Sequence, residues 1–565
     1  MKARQIIRTS ILGSLVLVTA CAQLKRSVQS IGTAPAAPHL QKHGTVAQLV
    51  VDGKPFLLLG GEVHNSSSSS VAYMKPVWPR LAKMHLNTVL VPVSWEQVEP
   101  REGQFDFSVV DGLLTDARRN DLRLVLLWMG SWKNSTSRYE ADWVKTDQAR
   151  FPRVIDRDGK PLEILSTFNE NTRNADAKAF ASLMRHVKEV DSHQRTVIMI
   201  QMQNEVGVLG DSRDHSSAAN DAFAKPVPSE LVDYLQKNKD TLLPEFRKVW
   251  DDAGSKVSGT WEDVFGKGTR TDEIFMAWNY ARFMNAIVEA GKAEYSLPTF
   301  VNAWIVQPED KGPGDYPSGG PQAQNHDLYR AGAPAIDILA PDIYLPDFPG
   351  ILAMYSRSAN PVLIPESRAG GGGAANAFFA VGQFGAIGYS PFGIDGLPDE
   401  EGPFPRAYSV LDQLSPLILE HQGKGTIGAV WLSQQKPSQK IVLGNYTVNI
   451  EPPRNRNAPI NTSAPIGGYA LVINTGPDEY VVAGSGVQIT FYVKPPATGI
   501  VGLTKVEEGT FKNGQWLPGR RLNGDEVQLR YDLSAAAADG LSGSGLRFNA
   551  NTGPTIQRVS LHVYK

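Results

Sequence analysis

Two glutamates stand directly after apolar runs, and they are the residues of this sequence best suited to acid–base chemistry. Glu205 follows the run at residues 197–204, and Glu366 follows the run at residues 362–365. Cleavage of a glycosidic bond needs one carboxyl that protonates the departing oxygen and a carboxylate on the opposite side of the anomeric carbon. A carboxyl separation of about 5–5.5 Å gives retention of configuration, and about 6.5–9.5 Å gives inversion. The two glutamates therefore predict glycoside cleavage, provided that the fold brings them face to face.

The elements that would position them are β/α units. Between about residues 45 and 425, short β-branched runs alternate with amphipathic stretches, a pattern typical of a parallel sheet covered by helices. Eight such runs predict an α/β fold, a (β/α)8 TIM barrel at residues 45–425, whose catalytic groups come from the C-terminal strand ends. An open doubly wound sheet is the alternative, but no G-x-G-x-x-G follows the first strand. The predicted strands are 56–64, 88–95, 123–130, 197–205, 299–306, 337–344, 362–366 and 386–392, and the helix candidates are 74–86, 109–119, 176–190, 272–295 and 407–419.

Two regions do not fit a plain barrel. The connection at residues 206–298 is longer than one crossover helix needs, which predicts an elaborated loop over the active face. Residues 426–565 contain alternating runs at 487–493, 527–531 and 559–563, separated by Gly, Pro and Asn clusters. This pattern predicts a C-terminal antiparallel β domain.

The N-terminus carries the single cysteine, Cys21. A basic start and an apolar run at residues 11–20, too short to span a membrane, predict a secretory signal at residues 1–21. Val18-Thr19-Ala20-Cys21 resembles a bacterial lipobox, so Cys21 is the predicted lipidation site; a chance cysteine in an ordinary signal is the alternative. Residues 22–44 read as a flexible linker. The lipobox predicts a lipoprotein of the bacterial envelope that is attached to the membrane by its lipid anchor only. Because Asp is absent at position 22, we expect this membrane to be the outer one.

Composition narrows the partners. The chain has 56 Lys+Arg against 58 Asp+Glu, and its formal net charge is -2. This balance leaves no excess of basic residues for binding nucleic acid, so a neutral substrate such as a carbohydrate fits better. With one cysteine there is no intramolecular disulfide and no thiolate metal cluster. The histidines show no His-Glu-x-x-His spacing, so no catalytic metal and no cofactor are predicted.

Four segments resemble known glycosidases. Asn204-Glu205 closing the fourth strand and Glu366 closing the seventh resemble the large clan of retaining barrel glycosidases. Residues 95–107 reproduce the Glu-Pro-x-x-Gly-x-aromatic-x-Phe segment of glycoside hydrolase family 35. Residues 60–65 are similar to the family's Gly-x-x-His-Tyr segment, with Asn65 in place of the tyrosine.

Other positions depart from that family. Gln203 and Val206 replace the Glu and Tyr of its Gln-Ile-Glu-Asn-Glu-Tyr-Gly segment, and residues 365–370 lack its aromatics around the nucleophile. These departures leave the reaction intact but affect the sugar contacts. The pattern is most similar to a compact bacterial branch that includes β-galactosidases of plant xyloglucan side chains.

The resemblance implies a retaining exo-β-galactosidase acting on terminal β-D-galactose, with Glu205 as general acid/base and Glu366 as nucleophile. It also implies that Asn204 binds the sugar 2-hydroxyl and that Tyr344 donates a hydrogen bond to the nucleophile and keeps it ionised. A capping Asn and a Tyr that merely packs are the alternatives. Further substrate-binding candidates end the first three strands, where packing or a structural hydrogen bond is an equal possibility; they are His64, Asn65, Trp95, Glu99, Trp128 and Trp132.

Two other functions stay open at this point. Asn-Glu with a distant Glu is shared by other retaining enzymes of the clan, among them β-mannosidases, β-glucosidases and endo-glycanases. A non-catalytic surface lipoprotein that binds glycans would keep the barrel and lose the reaction, although the presence of both glutamates argues against it.

Overall fold

A small antiparallel sheet opens the fold. A computed structural model describes residues 36–370, 372–398, 400–453, 467–527, 544–550 and 552–564. Strands β1 (His39–His43), β2 (Val46–Val51) and β3 (Lys54–Phe56) pair in sequence order. Gly44 makes the first turn at φ +57°, a conformation that glycine adopts without strain. The predicted linker at residues 22–44 therefore does not hold from His39 onward, because these residues pair with β2.

The barrel strands follow, and all of their pairings are parallel. A short hairpin, β7 and β8, lies in the loop after β6. In the described part of the chain, the strands are β4 (Leu58–Glu62), β5 (Thr88–Ser94), β6 (Arg123–Lys133), β7 (Arg153–Ile155), β8 (Pro161–Leu165), β9 (Val197–Asn204), β10 (Thr299–Trp304), β11 (Ile338–Ile343), β12 (Leu363–Ile364), β13 (Glu366–Ser367) and β14 (Gly388–Tyr389).

The sheet closes on itself through one interrupted strand. Pro365 has no backbone N–H and separates β12 from β13, which form the seventh strand position together. Its first half pairs with β14 and its second half with β11, while β14 pairs with β4. The predicted (β/α)8 barrel is thereby confirmed, and the open doubly wound alternative is excluded.

Helices cover the outside of the barrel. The 22-residue helix α6 begins at an Asn169 cap whose side chain accepts from the Thr172 backbone N–H. The helices are α1 (Val71–Met74), α2 (Val77–Lys83), α3 (Trp95–Val98), α4 (Ser108–Arg119), α5 (Asp142–Thr146), α6 (Glu170–Asp191), α7 (Ser217–Phe223), α8 (Ser229–Lys237), α9 (Pro244–Asp252), α10 (Trp261–Phe265), α11 (Thr269–Glu294), α12 (His326–Gly332), α13 (Phe348–Tyr355), α14 (Gly373–Gln383) and α15 (Pro403–His421). Five of them, α7 to α11, fill the long connection between β9 and β10.

The C-terminal region consists of two antiparallel sheets. One has the order β15-β18-β19-β24-β21-β22 and the other β16-β17-β20-β23. Alternating residues of both sheets, such as Val448, Val482 and Phe491, share a second hydrophobic core. The strands are β15 (Ile427–Trp431), β16 (Gln439–Leu443), β17 (Tyr446–Glu451), β18 (Tyr469–Gly476), β19 (Glu479–Ser485), β20 (Val487–Val493), β21 (Ile500–Lys512), β22 (Gln515–Arg521), β23 (Ser544–Phe548) and β24 (Thr555–Tyr564).

Barrel and sheets belong to one compact unit, Ala37–Lys565. The predicted antiparallel region after residue 426 is confirmed, although residues 528–531 of one predicted strand lie outside the described residues. Cys21 and the predicted signal also lie outside them. Among the residues that are described, no helix combines the length and apolar character needed to cross a membrane.

Candidate active site

The end of β9 presents Asn204 and Glu205 at the C-terminal mouth of the barrel. Gln203 and Glu205 have φ values of +57° and +46°, so the backbone leaves extended geometry on both sides of Asn204. Such left-handed residues without glycine are strained and persist only where the surroundings hold them. Glu205 is held by its backbone N–H, which donates to Asn302 Oδ1 at 3.2 Å, and by Asn134 Nδ2, which donates to Glu205 Oε2 at 2.5 Å.

Glu366 begins β13, across the mouth from Glu205. Three donors converge on its carboxylate. Asn204 Nδ2 and Asn302 Nδ2 donate to Oε1 at 2.9 and 3.3 Å, and the Tyr344 hydroxyl donates to Oε2 at 3.0 Å. Hydrogen bonds of this kind stabilise the ionised form of a carboxyl group. The structure thus surrounds Glu366 with the groups that an anionic nucleophile requires.

A third carboxyl lies beside the pair. Asp342 is the register partner of Glu366 on the neighbouring strand β11. One oxygen from each of Glu205, Asp342 and Glu366 lies within 4.8 Å of the other two, and all three side chains are buried. Asn302 links the set, because its Nδ2 also donates to Asp342 Oδ2 at 2.7 Å.

Burial sets the protonation of these acids. Desolvation, followed by the negative charge of Glu366, raises the pKa of Glu205 from an ordinary value of 4.5 to about 7. The same two causes raise the pKa of Asp342 and that of Glu62, at the end of β4, well above their usual ranges. A carboxyl whose pKa lies near 7 is suited to act as a general acid and then as a base.

One buried cation faces the acids. Burial lowers the pKa of Lys133, but the charges of Glu366, Glu62 and the other nearby carboxylates together raise it above its ordinary value of 10.5. Lys133 Nζ donates to Asn204 Oδ1 at 3.0 Å. This bond fixes the orientation of the Asn204 amide, so that its NH2 group faces Glu366. Lys133 therefore both compensates charge and orients a neighbour.

The mouth encloses a cavity of about 530 Å³. A volume in this range holds a small ligand such as a pyranose with part of a second ring. Its walls are Asn65, Lys133, Asn134, Glu205, Trp304, Ile305, Gln307, Asp342, Tyr344, Glu366 and Phe392.

The two candidates that follow the first strand, His64 and Asn65, lie in different positions relative to the cavity. Asn65 lines the cavity, and its Oδ1 is buried without a partner among the described residues. His64 lies outside the wall: its Nδ1 is 2.9 Å from Asp395 Oδ1, and its ring contacts Phe392 edge to face at 5.5 Å. His64 thus contacts an aromatic residue of the cavity wall.

Four substrate-binding candidates are not brought to the cavity. Trp95 Nε1 donates to Glu99 Oε2 at 2.9 Å, and Glu99 also accepts from the Gly103 backbone N–H, so both residues stabilise the loop after β5. Trp128 Nε1 donates to buried Asp176 at 2.7 Å, and Trp132 Nε1 donates to the Leu165 carbonyl at 3.1 Å. All three tryptophans are fully buried. Their predicted sugar contacts are corrected to structural roles, because their polar atoms already have protein partners.

Sequence reasoning missed seven polar or aromatic residues that line the cavity or bind its carboxyl groups: Lys133, Asn134, Asn302, Trp304, Gln307, Asp342 and Phe392. Lys133 and Asn134 were missed because β6 continues three residues beyond the expected end at residue 130. Asn302 and Trp304 sit within and at the end of the fifth run, and Asp342 precedes Tyr344 by two residues. Period-two spacing from Tyr344, which places both side chains on one face of the strand, was the available signal for Asp342.

The carboxyl cluster also has spacing that could hold a cation. Glu205, Asp342 and Glu366 form the only such group of three among the described residues. The buried ammonium of Lys133 already carries a positive charge beside all three. A second cation there would be repelled, so we assign no metal to the cluster.

Comparisons with known proteins relate part of the chain to β-galactosidases. A family model described as β-galactosidase, that of glycoside hydrolase family 42, matches residues 73–297, and a domain model of unknown function, DUF5597, matches residues 404–533. A β-galactosidase of Xanthomonas manihotis is 29% identical over 184 residues, which are 31% of this chain and 27% of that protein. The match thus spans about a quarter of the length of this curated relative.

Solved structures of similar fold include two sugar-processing enzymes. A β-galactosidase from Rahnella sp. R3 has a TM-score of 0.43 and 16% identity, covering 66% of this chain and 58% of that one. The catalytic domain of a β-amylase from Paenibacillus polymyxa has a TM-score of 0.42 and 11% identity, covering 61% of this chain and 94% of that one.

The sequence matches confirm the prediction of a glycoside hydrolase domain, and the matched segment is residues 73–297. The matching model is of the family 42 type, and the resemblance to family 35 and to its xyloglucan branch is not supported. The matched segment contains Asn204 and Glu205 but ends before Asp342 and Glu366.

Proposed function

We propose that this protein is a retaining exo-β-galactosidase that removes terminal β-D-galactose from oligo- or polysaccharides. The observation that carries the proposal is the pair of buried carboxyls, Glu205 and Glu366, with oxygens within 4.8 Å of each other on opposite sides of the barrel mouth. This distance supports the retaining arrangement, because an inverting pair leaves room for a water molecule between carboxyl groups about 6.5–9.5 Å apart.

The reaction follows from the protonation states. Glu366, whose carboxylate accepts hydrogen bonds from three donors, attacks the anomeric carbon while Glu205 gives its proton to the departing oxygen. Glu205 then accepts a proton from water, whose oxygen displaces Glu366 from the sugar. Asn204 donates a hydrogen bond to Glu366, and the resemblance implies that it also binds the 2-hydroxyl of the sugar, a contact that strengthens in the transition state.

Galactose as the sugar is supported by the family 42 match and by the β-galactosidase of Xanthomonas manihotis. Galactosylated xyloglucan stays one candidate polymer; it rests on the sequence of residues 95–107 and receives no support from the family 42 match.

A panel of aryl glycosides tests the proposal. We expect hydrolysis of p-nitrophenyl β-D-galactoside at least tenfold above the β-glucoside and β-mannoside, and NMR of the first product should show β-galactose. Better cleavage of another glycoside would overturn the sugar assignment and keep the mechanism. First release of the α-anomer would overturn retention, and cleavage of no glycoside would favour the glycan-binding alternative.

We further propose that Cys21 is lipidated and anchors the enzyme in the bacterial outer membrane. Residues 18–21 support this proposal by their resemblance to a lipobox. Labelled fatty acid should enter the full chain and be absent from Cys21→Ser. Label in both proteins, or recovery with the inner membrane, would contradict the corresponding half of the proposal.

A further inference from the structure

Asp342 is a buried acid that the two-carboxyl reaction leaves without a role. It lines the cavity, and its side chain is bound on one edge only, where Asn302 Nδ2 donates to Oδ2 at 2.7 Å. Its Oδ1 is buried and accepts no hydrogen bond from an amide, hydroxyl or ammonium group of any residue that the structure describes. A buried oxygen left in this state is costly unless a proton is supplied.

The neighbour that can share a proton with Oδ1 is Glu205. One oxygen of the Asp342 carboxyl lies within 4.8 Å of one oxygen of the Glu205 carboxyl, and Glu205 is among the groups that raise the pKa of Asp342. Ionisation of both carboxyl groups at such a distance in a buried site is disfavoured by their mutual repulsion. A proton held between the two groups removes that repulsion.

Asn302 indicates which carboxyl is the donor. Its amide group directs Nδ2 to Asp342 Oδ2 and Oδ1 to the Glu205 backbone, so Oδ2 of Asp342 is occupied as an acceptor. Oδ1 is then free to carry the proton. On the other side, Glu205 Oε2 accepts from Asn134 Nδ2, which favours the acceptor state of Glu205.

We propose that Asp342 is a positioning residue that stays protonated at neutral pH and donates a hydrogen bond from Oδ1 to the acid/base Glu205. This proposal rests on the proposed glycosidase function and assigns a third carboxyl to it. Asp342 does not transfer its proton. It stabilises the Glu205 carboxylate that forms when Glu205 has protonated the departing oxygen, and it keeps that carboxylate in place while it takes a proton from the attacking water.

The charges around Asp342 permit a neutral acid there. Glu366 is the register partner of Asp342, and after burial it is the largest cause that raises the pKa of Asp342, so an ionised Asp342 is disfavoured there. The titratable groups that face Asp342 from the surrounding elements are Glu62, Lys133, Glu205, Tyr344, Tyr355 and Glu366.

The pH dependence of kcat/KM in two Asp342 variants tests the proposal. Asp342→Asn keeps a neutral donor at the position of Oδ1, so the basic limb should stay within a few tenths of a pH unit of wild type. Asp342→Leu removes the donor, so the Glu205 carboxylate loses stabilisation and the basic limb should move upward by about one pH unit, with a lower kcat. Thermal unfolding midpoints of both variants monitor the fold.

An ionised Asp342 would shift the basic limb in the opposite direction. If Asp342 is ionised in the free enzyme, both variants remove a negative charge beside Glu205, and the basic limb moves to lower pH in each. That result would overturn the proposal. The proposal would also be overturned if the basic limb of Asp342→Asn moved to higher pH by as much as that of Asp342→Leu.

An infrared measurement keeps the test independent of turnover. The difference spectrum between wild type and Asp342→Asn at pH 7 should contain the carbonyl band of a protonated carboxyl group. A carboxylate band in its place would refute a neutral Asp342 even in an active enzyme. If wild type cleaves no glycoside while the protonated band is present, the glycosidase function fails and the shared proton stands.

Discussion

Asn204 Nδ2 donates a 2.9 Å hydrogen bond to Glu366 Oε1, and this bond links the fourth strand of the barrel to the seventh. The residue directly before the proposed acid/base is therefore tied to the proposed nucleophile. Lys133 holds the other end of the same amide at 3.0 Å. A substitution at Lys133 or Asn204 should therefore affect Glu366, and the prediction for Lys133 below depends on this connection.

The pH dependence of activity should have its basic limb near pH 7. Glu205 must be protonated to assist departure of the aglycone, and burial together with Glu366 raises its pKa to about 7. Above that pH, kcat/KM for an unactivated galactoside should fall about tenfold per pH unit. In Asn134→Ala the limb should move to higher pH, because a hydrogen bond that stabilises the Glu205 carboxylate is lost. A limb that does not respond to Asn134→Ala would contradict the assignment.

Lys133→Met should lose both activity and stability. The buried ammonium compensates the carboxylates and orients Asn204. We expect kcat/KM to fall by about 10²-fold or more and the free energy of unfolding to fall by about 3–5 kcal/mol, because an uncompensated buried charge remains. Lys145→Met is the matched control: it breaks a partly exposed pair with Glu96 and should cost about 1 kcal/mol or less. Equal effects of the two variants in urea unfolding and kinetics would refute the role of Lys133.

Two tryptophan variants should distinguish a tryptophan that contacts the substrate from one that packs in the core. Trp304 lines the cavity, so Trp304→Ala should raise KM about tenfold through the loss of contact area with the substrate. Trp128 lies in the core and donates to Asp176, so Trp128→Phe should leave KM unchanged and lower the free energy of unfolding by about 1–3 kcal/mol. The reverse pattern would restore Trp128 as a sugar contact.

Glu205→Gln should make the protein relatively more stable at alkaline pH. The pKa of Glu205 is higher in the folded chain than its ordinary value of 4.5, so the folded state binds the proton more tightly. Its contribution to stability is complete below about pH 4.5 and is lost as the pH rises through about 7. Between pH 4 and pH 8 the stability of Glu205→Gln should gain on wild type by about 3 kcal/mol, measured by urea unfolding. A difference independent of pH would contradict a raised pKa.

The barrel and the proximity of Glu205 to Glu366 could be predicted from the sequence, because both follow from the apolar strand runs. Eight apolar runs buried on both faces can pack only in a covered parallel sheet, and Glu205 and Glu366 each end such a run. Asn204 and Tyr344, expected from resemblance, also reach Glu366.

The surroundings of the pair could not be predicted in the same way. Trp128 and Trp132 follow the third strand as sugar-binding aromatics would, but Asp176 and the Leu165 carbonyl, both distant in sequence, satisfy their N–H groups. Lys133 enters the site because β6 is longer than its apolar run. Such partnerships depend on tertiary contacts that no local pattern records.

Azide rescue of Glu205→Ala and Glu366→Ala on p-nitrophenyl β-D-galactoside tests the central claim most directly. Each variant should lose activity by orders of magnitude, and azide should restore it. Glu205→Ala should then give β-galactosyl azide, because azide attacks the glycosyl-enzyme, and Glu366→Ala should give α-galactosyl azide by direct displacement. The same azide anomer from both variants, or full activity in either one without azide, would contradict the assignment of Glu205 as acid/base and Glu366 as nucleophile.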